Sequence, residues 1–237
     1  MLVLRRFDRV RGSGIVLTGS GGSGVEPHRL QRRAVGEPDR LSMVTLRSVA
    51  TRAGIALTRA QRDFGSRDRL VAVMVQHVLT QRATAARNEV PADALTRLAE
   101  DEWNTYRAHP WLVGVMASTR PPLVPAALDA SRAAIEAFMG LGLDSSTALN
   151  RYLAFSAYIQ GMGLLLIAEQ QESVRSGTSY RRWWTDEVRR LARTGDSMRH
   201  PWLLELTDRA PVDDFDPDAP FRDGLSRVIR GLTHRDT

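Results

Sequence analysis

TLRSVATRAGIALTRAQRDFGSRDRLVAVM, residues 45–74, decides how this chain is read. Thr45 offers a side-chain oxygen to the free amides of a helix start. Leu46, Val49, Ala50 and Ala53 then recur at the i, i+3, i+4, i+7 spacing of one apolar helix face. Gly54 stops that helix, because glycine enters the left-handed region at little cost. A second segment, from about Thr58 to Phe64, has room for about two turns before Gly65. Ser66 caps a third segment running from Arg67 to about Arg87, with Leu70, Val71, Met74, Val78 and Leu79 on one face. Helix, tight turn, short helix and long connecting helix, with each break at a glycine, make a helix-turn-helix.

Downstream, proline punctuates a series of helices. Pro91 opens one to about His109, Pro110 a short one through Met116, and Pro125 an amphipathic one to Leu141. Ser145 to Gln171 is the longest, and it is apolar nearly all round from Leu153 to Ile167, so it needs cover on more than one side. Tyr180 to Arg193 is polar and arginine-rich. Pro220 opens a last helix with Phe221, Leu225, Val228, Ile229 and Leu232 in register. No stretch alternates persistently with period two, so the expected fold is all-α. A poorly ordered basic segment occupies 1–40, a helix-turn-helix head and connecting helix 41–87, and a larger helical body 88–237. Within 1–40, the Gly/Ser run at 12–24 reads as flexible linker, and no Gly-Lys-Ser/Thr follows to make it a phosphate loop.

Charge is unevenly placed. Residues 1–82 hold 15 arginines and 6 acids, whereas the rest holds 18 arginines and 21 acids, and lysine is absent. A basic head on a mildly acidic body is the footprint of a polyanion binder. Apolar residues, 43% of the total, suffice for a core. The lack of cysteine excludes disulfides, thiolate zinc sites and cysteine nucleophiles, and it suits a cytoplasmic location. The longest apolar run, Tyr152–Ala168, is shorter than the roughly 20 residues of a membrane span. No membrane partner is expected.

Catalytic and metal patterns are missing. The repeated phrases His109-Pro110-Trp111 and His200-Pro201-Trp202 are explained by proline at helix starts. Asp214, Asp216 and Asp218 imitate a calcium loop, but Ala219 and Leu225 stand where Gly and Glu are required. Neither paired carboxylates, a Ser-His-Asp set nor HExxH is present, so no enzyme activity, metal or cofactor is expected.

The same residues resemble the tetracycline-repressor (TetR) family of bacterial one-component regulators, especially the branch with the tetracycline-repressor-type C-terminal domain. The head carries LSMVTLRSVATRAGI at 41–55 and DFGSRDRLVAVM at 63–74. The body carries YRAHPWLVGVM at 106–116, RPPLVPAAL at 120–128, YIQG at 158–161 and FRDGLSRVIRGL at 221–232. The resemblance implies a regulator, expected to be a repressor whose operator binding a small molecule releases. It departs from the family in two places. The stretch for a first supporting helix, Pro27–Leu41, is broken by Gly36 and Pro38, and the recognition segment reads Ala60-Gln61-Arg62-Asp63-Phe64 instead of Leu-Tyr-x-His/Tyr-Phe. The alternative reading is a dimeric helical ligand- or partner-binding protein whose head has lost specific DNA binding.

Three sets of residues carry the expected functions. A short helix presents its first residues to base edges in the major groove, so Thr58, Arg59, Gln61 and Arg62 are the candidates there. Thr45, Arg47 and Arg67 suit phosphate, with Asp63 opposing and Arg59 or Arg67 placed to pair with it. Trp103, Tyr106, His109, Trp111, Met116, Phe155, Tyr158 and Met162 are candidates for an apolar effector pocket, with His109, Gln160, Tyr106 and Tyr158 as its polar handles, and core packing is the competing use of each. The resemblance implies a homodimer joined through the long and final helices, with Tyr152, Ile159, Leu225, Val228, Ile229 and Leu232 at the interface, or else in the core of each protomer. Such a dimer presents two heads to a palindromic double-stranded operator.

Overall fold

The structure, a computed structural model, describes residues 41, 44–81, 89–194, 199–202 and 216–234. The expected basic segment 1–40, including the stretch for a first helix, lies outside the described residues. Helix α1 (Leu46–Ala53) starts where the sequence places it. The Ser48 amide donates to the Thr45 hydroxyl oxygen at 3.1 Å, and the Thr45 amide donates to the Ser48 hydroxyl oxygen at 3.0 Å. This reciprocal cap satisfies two amides that no turn of helix can reach. Gly54 ends α1 at φ 65°, ψ 36°. A Cβ at that φ is strained, so Gly54→Ala is expected to cost the head about 1 kcal/mol. Thermal unfolding of the variant checks this, and an unchanged or raised midpoint contradicts it.

Helix α2 (Leu57–Phe64) and α3 (Arg67–Leu79) follow, separated by Gly65 at φ 71°. Val49, Ala50, Ala60, Phe64 and Leu70 bury one another in a small core of the head's own. Beyond Leu70, α3 turns Val71, Val75, Val78 and Leu79 into the larger core of the body. One helix is therefore part of both cores, so a tilt of α3 moves the head. It ends at Leu79, short of the expected Arg87: the Thr80 hydroxyl donates back to the Gln76 carbonyl at 2.6 Å. Residues 82–88 lie outside the described part.

The body contains α4 (Pro91–Ala108), α5 (Trp111–Met116), α6 (Pro125–Met139), α7 (Ser145–Ser176), α8 (Tyr180–Arg193) and α9 (Asp218–Thr233), with no strand among the described residues. Helices α4, α6, α7 and α9 enclose Trp103, Tyr106, Phe138, Ile159 and Phe221, all fully buried. Phe138 meets Phe155 edge to face at 6.1 Å. Gly163 lets α7 cross close to α4 and α5: a Cβ there would lie 3.1 Å from Val113 and 3.2 Å from Tyr106, tighter than ordinary contact.

Two helix ends differ from expectation. Helix α7 continues past Gln171 to Ser176, since no breaker occurs before Gly177, which ends it at φ 66°. Helix α9 begins at Asp218, two residues before Pro220, so the proline sits in the first turn, where no amide is required. Helix α7 is also long and apolar enough to cross a membrane, with mean hydropathy 1.3 in its most apolar window, and only 22% of that window is buried in the protomer. Helices α4, α5, α6 and α9 cover α7 on more than one side, and among the described residues a further apolar face stays open.

Candidate functional site

Two places collect the functional candidates, one on the head and one in the body. On the head, Thr45, Arg47, Thr58, Arg59, Gln61, Arg62 and Arg67 are all exposed. Ala60 and Phe64 anchor α2 from beneath, which leaves Thr58, Arg59, Gln61, Arg62 and Asp63 facing water. Arg59 lies 3.7 Å from Asp63 one turn on, so the acid of the recognition segment has a partner on its own helix. Both groups are exposed, and such pairs are weak enough to exchange for a phosphate. Arg67 has a use the sequence did not reveal. Its Nε donates to the Val44 carbonyl at 3.1 Å and its Nη2 to the Leu41 carbonyl at 2.7 Å, so it ties the start of the head to α3.

In the body, a cavity of about 40 Å³ lies between α4, α6 and α7. Helix α4 contributes Leu98, Glu102 and Tyr106, and α6 contributes Ala127, Ala130, Ser131 and Ala134. Helix α7 adds Tyr152, Phe155, Ser156 and Gln160, with Leu79 and Met116 completing the wall. The polar groups are engaged in pairs. The Tyr106 hydroxyl donates to Glu102 at 2.5 Å, Ser131 and Tyr152 share a bond of 2.7 Å, and Gln160 donates to Ser156 at 3.0 Å. A second feature, an open groove of about 470 Å³, runs along α3 at Arg69, Val73, Gln76 and His77 against Val124 and Pro125. Beside it the Ala126 amide, in the first turn of α6, donates to the Gln76 side chain at 2.9 Å. Helix α6 is thus both a cavity wall and a direct partner of α3.

Of the eight residues expected at a pocket, Tyr106, Met116 and Phe155 line the cavity. The others pack elsewhere. Trp103 stacks on Phe221 with centroids 4.3 Å apart, and its indole donates to Asp218 at 2.9 Å. Tyr158 also stacks on Phe221 and donates to the Phe221 carbonyl at 2.8 Å, and its burial pushes the phenol above its usual pKa. Its ring occupies the space a Cβ on Gly224 would take. His109 packs against Trp111 edge to face, and Trp111 and Met162 lie at the rim of the core. Gln160, expected as a polar handle, also lines the cavity, whereas Glu102, Ser131 and Ser156 were not singled out from sequence. As isolated polar residues on amphipathic helices, they carry no signal there.

The residues expected at a dimer interface, or else in the core of each protomer, pack largely within the protomer. Ile159, Leu225 and Ile229 are buried inside the protomer, Val228 is half-buried, and Leu232 packs on the body's own core. Tyr152 lines the cavity. Periodicity shows that these faces are apolar, but not which body covers them; here α9 packs inward on α4 and α7. The outward face of α9 is polar, at Arg222, Asp223, Ser226, Arg227 and Arg230. The exposed apolar stripe lies on α7 instead, at Leu149, Leu153, Ala157, Leu164 and Leu165.

Comparisons with known proteins bear on the whole arrangement. The family described as "Tetracyclin repressor-like, C-terminal domain" matches residues 87–235. The HTH-type transcriptional repressor DrrR1 of Streptomyces coeruleorubidus is 27% identical over 206 residues, which span 84% of this chain and 73% of that protein. Among solved structures, SCO7222, a TetR protein of Streptomyces coelicolor, aligns with TM-score 0.65 and 22% identity over 82% of this chain and 91% of its own. ActR of the same organism, in complex with actinorhodin, aligns with TM-score 0.63 and 21% identity over 89% of this chain and 97% of its own. The last two establish the fold, and the family match spans most of the chain. An N-terminal helix-turn-helix, a connecting helix shared by two cores and a matching helical body identify the chain as a member of the TetR family of transcriptional regulators.

Proposed function

We propose that this regulator is a repressor: a dimer holds operator DNA through α2, and a small molecule entering the cavity between α4, α6 and α7 releases it. The observation that carries the reading is the double membership of α3. It holds the head by Leu70 and the body by Val71, Val75 and Leu79, and Leu79 also reaches the cavity wall. A drug-sized ligand needs about 300 Å³ or more. The present cavity is far smaller, so a ligand of that size must push α6 and α7 apart. Through Gln76 and Ala126, displacement of α6 reaches α3 and so the head. Release requires that ligand bind the displaced state more tightly than the operator-bound one. DrrR1 is itself a repressor, and ActR is solved with a small molecule bound, both of which support this reading.

A second copy of the chain supports two-headed binding. The stripe on α7 pairs small Ala157 and Gly161 at its centre with leucines on either side, a surface on which two helices can cross closely. A twofold axis there makes the patch self-complementary. The DNA reading is tested by fluorescence anisotropy on the region beside the protein's own gene. Arg59→Ala and Arg62→Ala are each expected to weaken binding about tenfold and to lower the salt slope by about one. Unchanged affinity in both, or no salt-sensitive binding by the wild type, would favour a body whose head no longer reads DNA.

A further inference from the structure

We infer that Glu102 makes the body cavity selective for a cationic ligand: a flat, largely apolar molecule carrying a protonated nitrogen. The inference rests on the effector-pocket reading above and specifies what the pocket accepts. Glu102 is the one carboxylate on the cavity wall, and no arginine or histidine lines it. The chain has 33 arginines, and the acids beside Glu102 on α4 use them. Glu100 faces Arg222 at 3.7 Å, and Asp101 faces Arg97 at 3.5 Å. Among the described residues Glu102 has no such partner. Its neighbour is the hydroxyl of fully buried Tyr106, which holds one carboxylate oxygen in place.

A half-buried carboxylate without a cation loses solvation that one hydrogen bond recovers only in part. A ligand bearing a protonated nitrogen supplies both the missing charge and N–H donors. The rest of the wall suits it. The Ser131 hydroxyl donates to the Ala127 carbonyl at 3.0 Å, so the Tyr152 hydroxyl donates to Ser131 and its oxygen remains an acceptor. Tyr106, Tyr152 and Phe155 bring aromatic rings to the wall, and such rings attract cations. An anionic ligand would meet Glu102 with no opposing charge.

The competing use of Glu102 is merely to fix Tyr106, and Glu102→Gln separates the two, because the amide oxygen still accepts from Tyr106. The test uses three acridines of nearly one shape: 9-aminoacridine as the cation, acridine as the neutral compound and acridine-9-carboxylate as the anion. Each is titrated into the full-length protein at pH 7.5 without DNA and followed by calorimetry. Ala130→Phe, which fills the cavity from α6, is expected to abolish the binding and so locate it. The wild type is expected to bind the cation at least tenfold more tightly than the other two. Glu102→Gln should weaken the cation about tenfold and leave acridine unchanged. Equal affinities for all three, or a cation affinity that Glu102→Gln leaves intact, overturns the charge selectivity while leaving an effector pocket standing. No saturable binding by any of them, or binding that Ala130→Phe leaves untouched, overturns the pocket reading with it.

Discussion

Replacing Leu153 and Leu165 together with glutamate is expected to leave a folded monomer that has lost at least about a hundredfold in operator affinity. Both side chains point outward from α7, at 55% and 59% exposure, so in the isolated protomer the charges stay in water and the core is untouched. In a dimer packed on this stripe the same charges are buried without partners, which costs several kcal/mol per group. Dissociation then removes the second head, and with it the gain of about 10²–10⁴ that linked binding provides. Sedimentation velocity reads the oligomer, and anisotropy on a full palindrome against a half-site reads the affinity. Circular dichroism establishes that the helices remain. A variant that sediments with the wild type and binds the full site equally well would place the interface elsewhere.

Trp103→Ala is expected to destabilise the body by about 3–5 kcal/mol, a large share of the stability of a domain. The side chain is fully buried, stacks within 9° of parallel on Phe221 and donates to Asp218, so one residue holds α9 against α4 in two ways. Removing it leaves a cavity that helices fixed on both sides cannot close. Asp218 keeps its second tie, to Arg107 at 2.7 Å, so the loss is chiefly one of packing. Trp103→Phe retains the ring stack and surrenders the hydrogen bond, and it should cost about 1–2 kcal/mol. Urea denaturation of the two variants gives the ordering. A Phe variant as unstable as the Ala variant would mean that the bond to Asp218, not the stack, holds the helices together.

Much of the local structure was legible because its causes are local. Thr45, Gly54, Gly65, Ser66 and Pro91 act within four residues of themselves, and each sits at a helix end. The exposed head residues were legible for the same reason: two short helices with one apolar face leave the opposite face to water. The cavity was not. Tyr106 and Met116 stood out as large side chains and Gln160 as a polar group in an apolar run, whereas Glu102 and Ser131 acquire meaning only when three helices bring them to one void. Arg67 was read as a phosphate ligand because it begins a helix. Its carbonyl partners lie 23 and 26 residues away and leave no periodic trace.

The sequence by itself determined an all-helical chain, the breaks of the head at Gly54 and Gly65, the helix-turn-helix and the family it resembles. Only the tertiary structure decided which apolar faces are spent inside the protomer. Burial rewards apolar area without regard to its source, so a stripe at helical spacing does not specify its cover. Phe221 stacks on Trp103, more than 100 residues away along the chain, and Leu225 and Ile229 join the same buried core. The stripe on α7 at Leu149, Leu153, Leu164 and Leu165 finds no cover among the described residues, a difference between apolar faces that periodicity does not reveal.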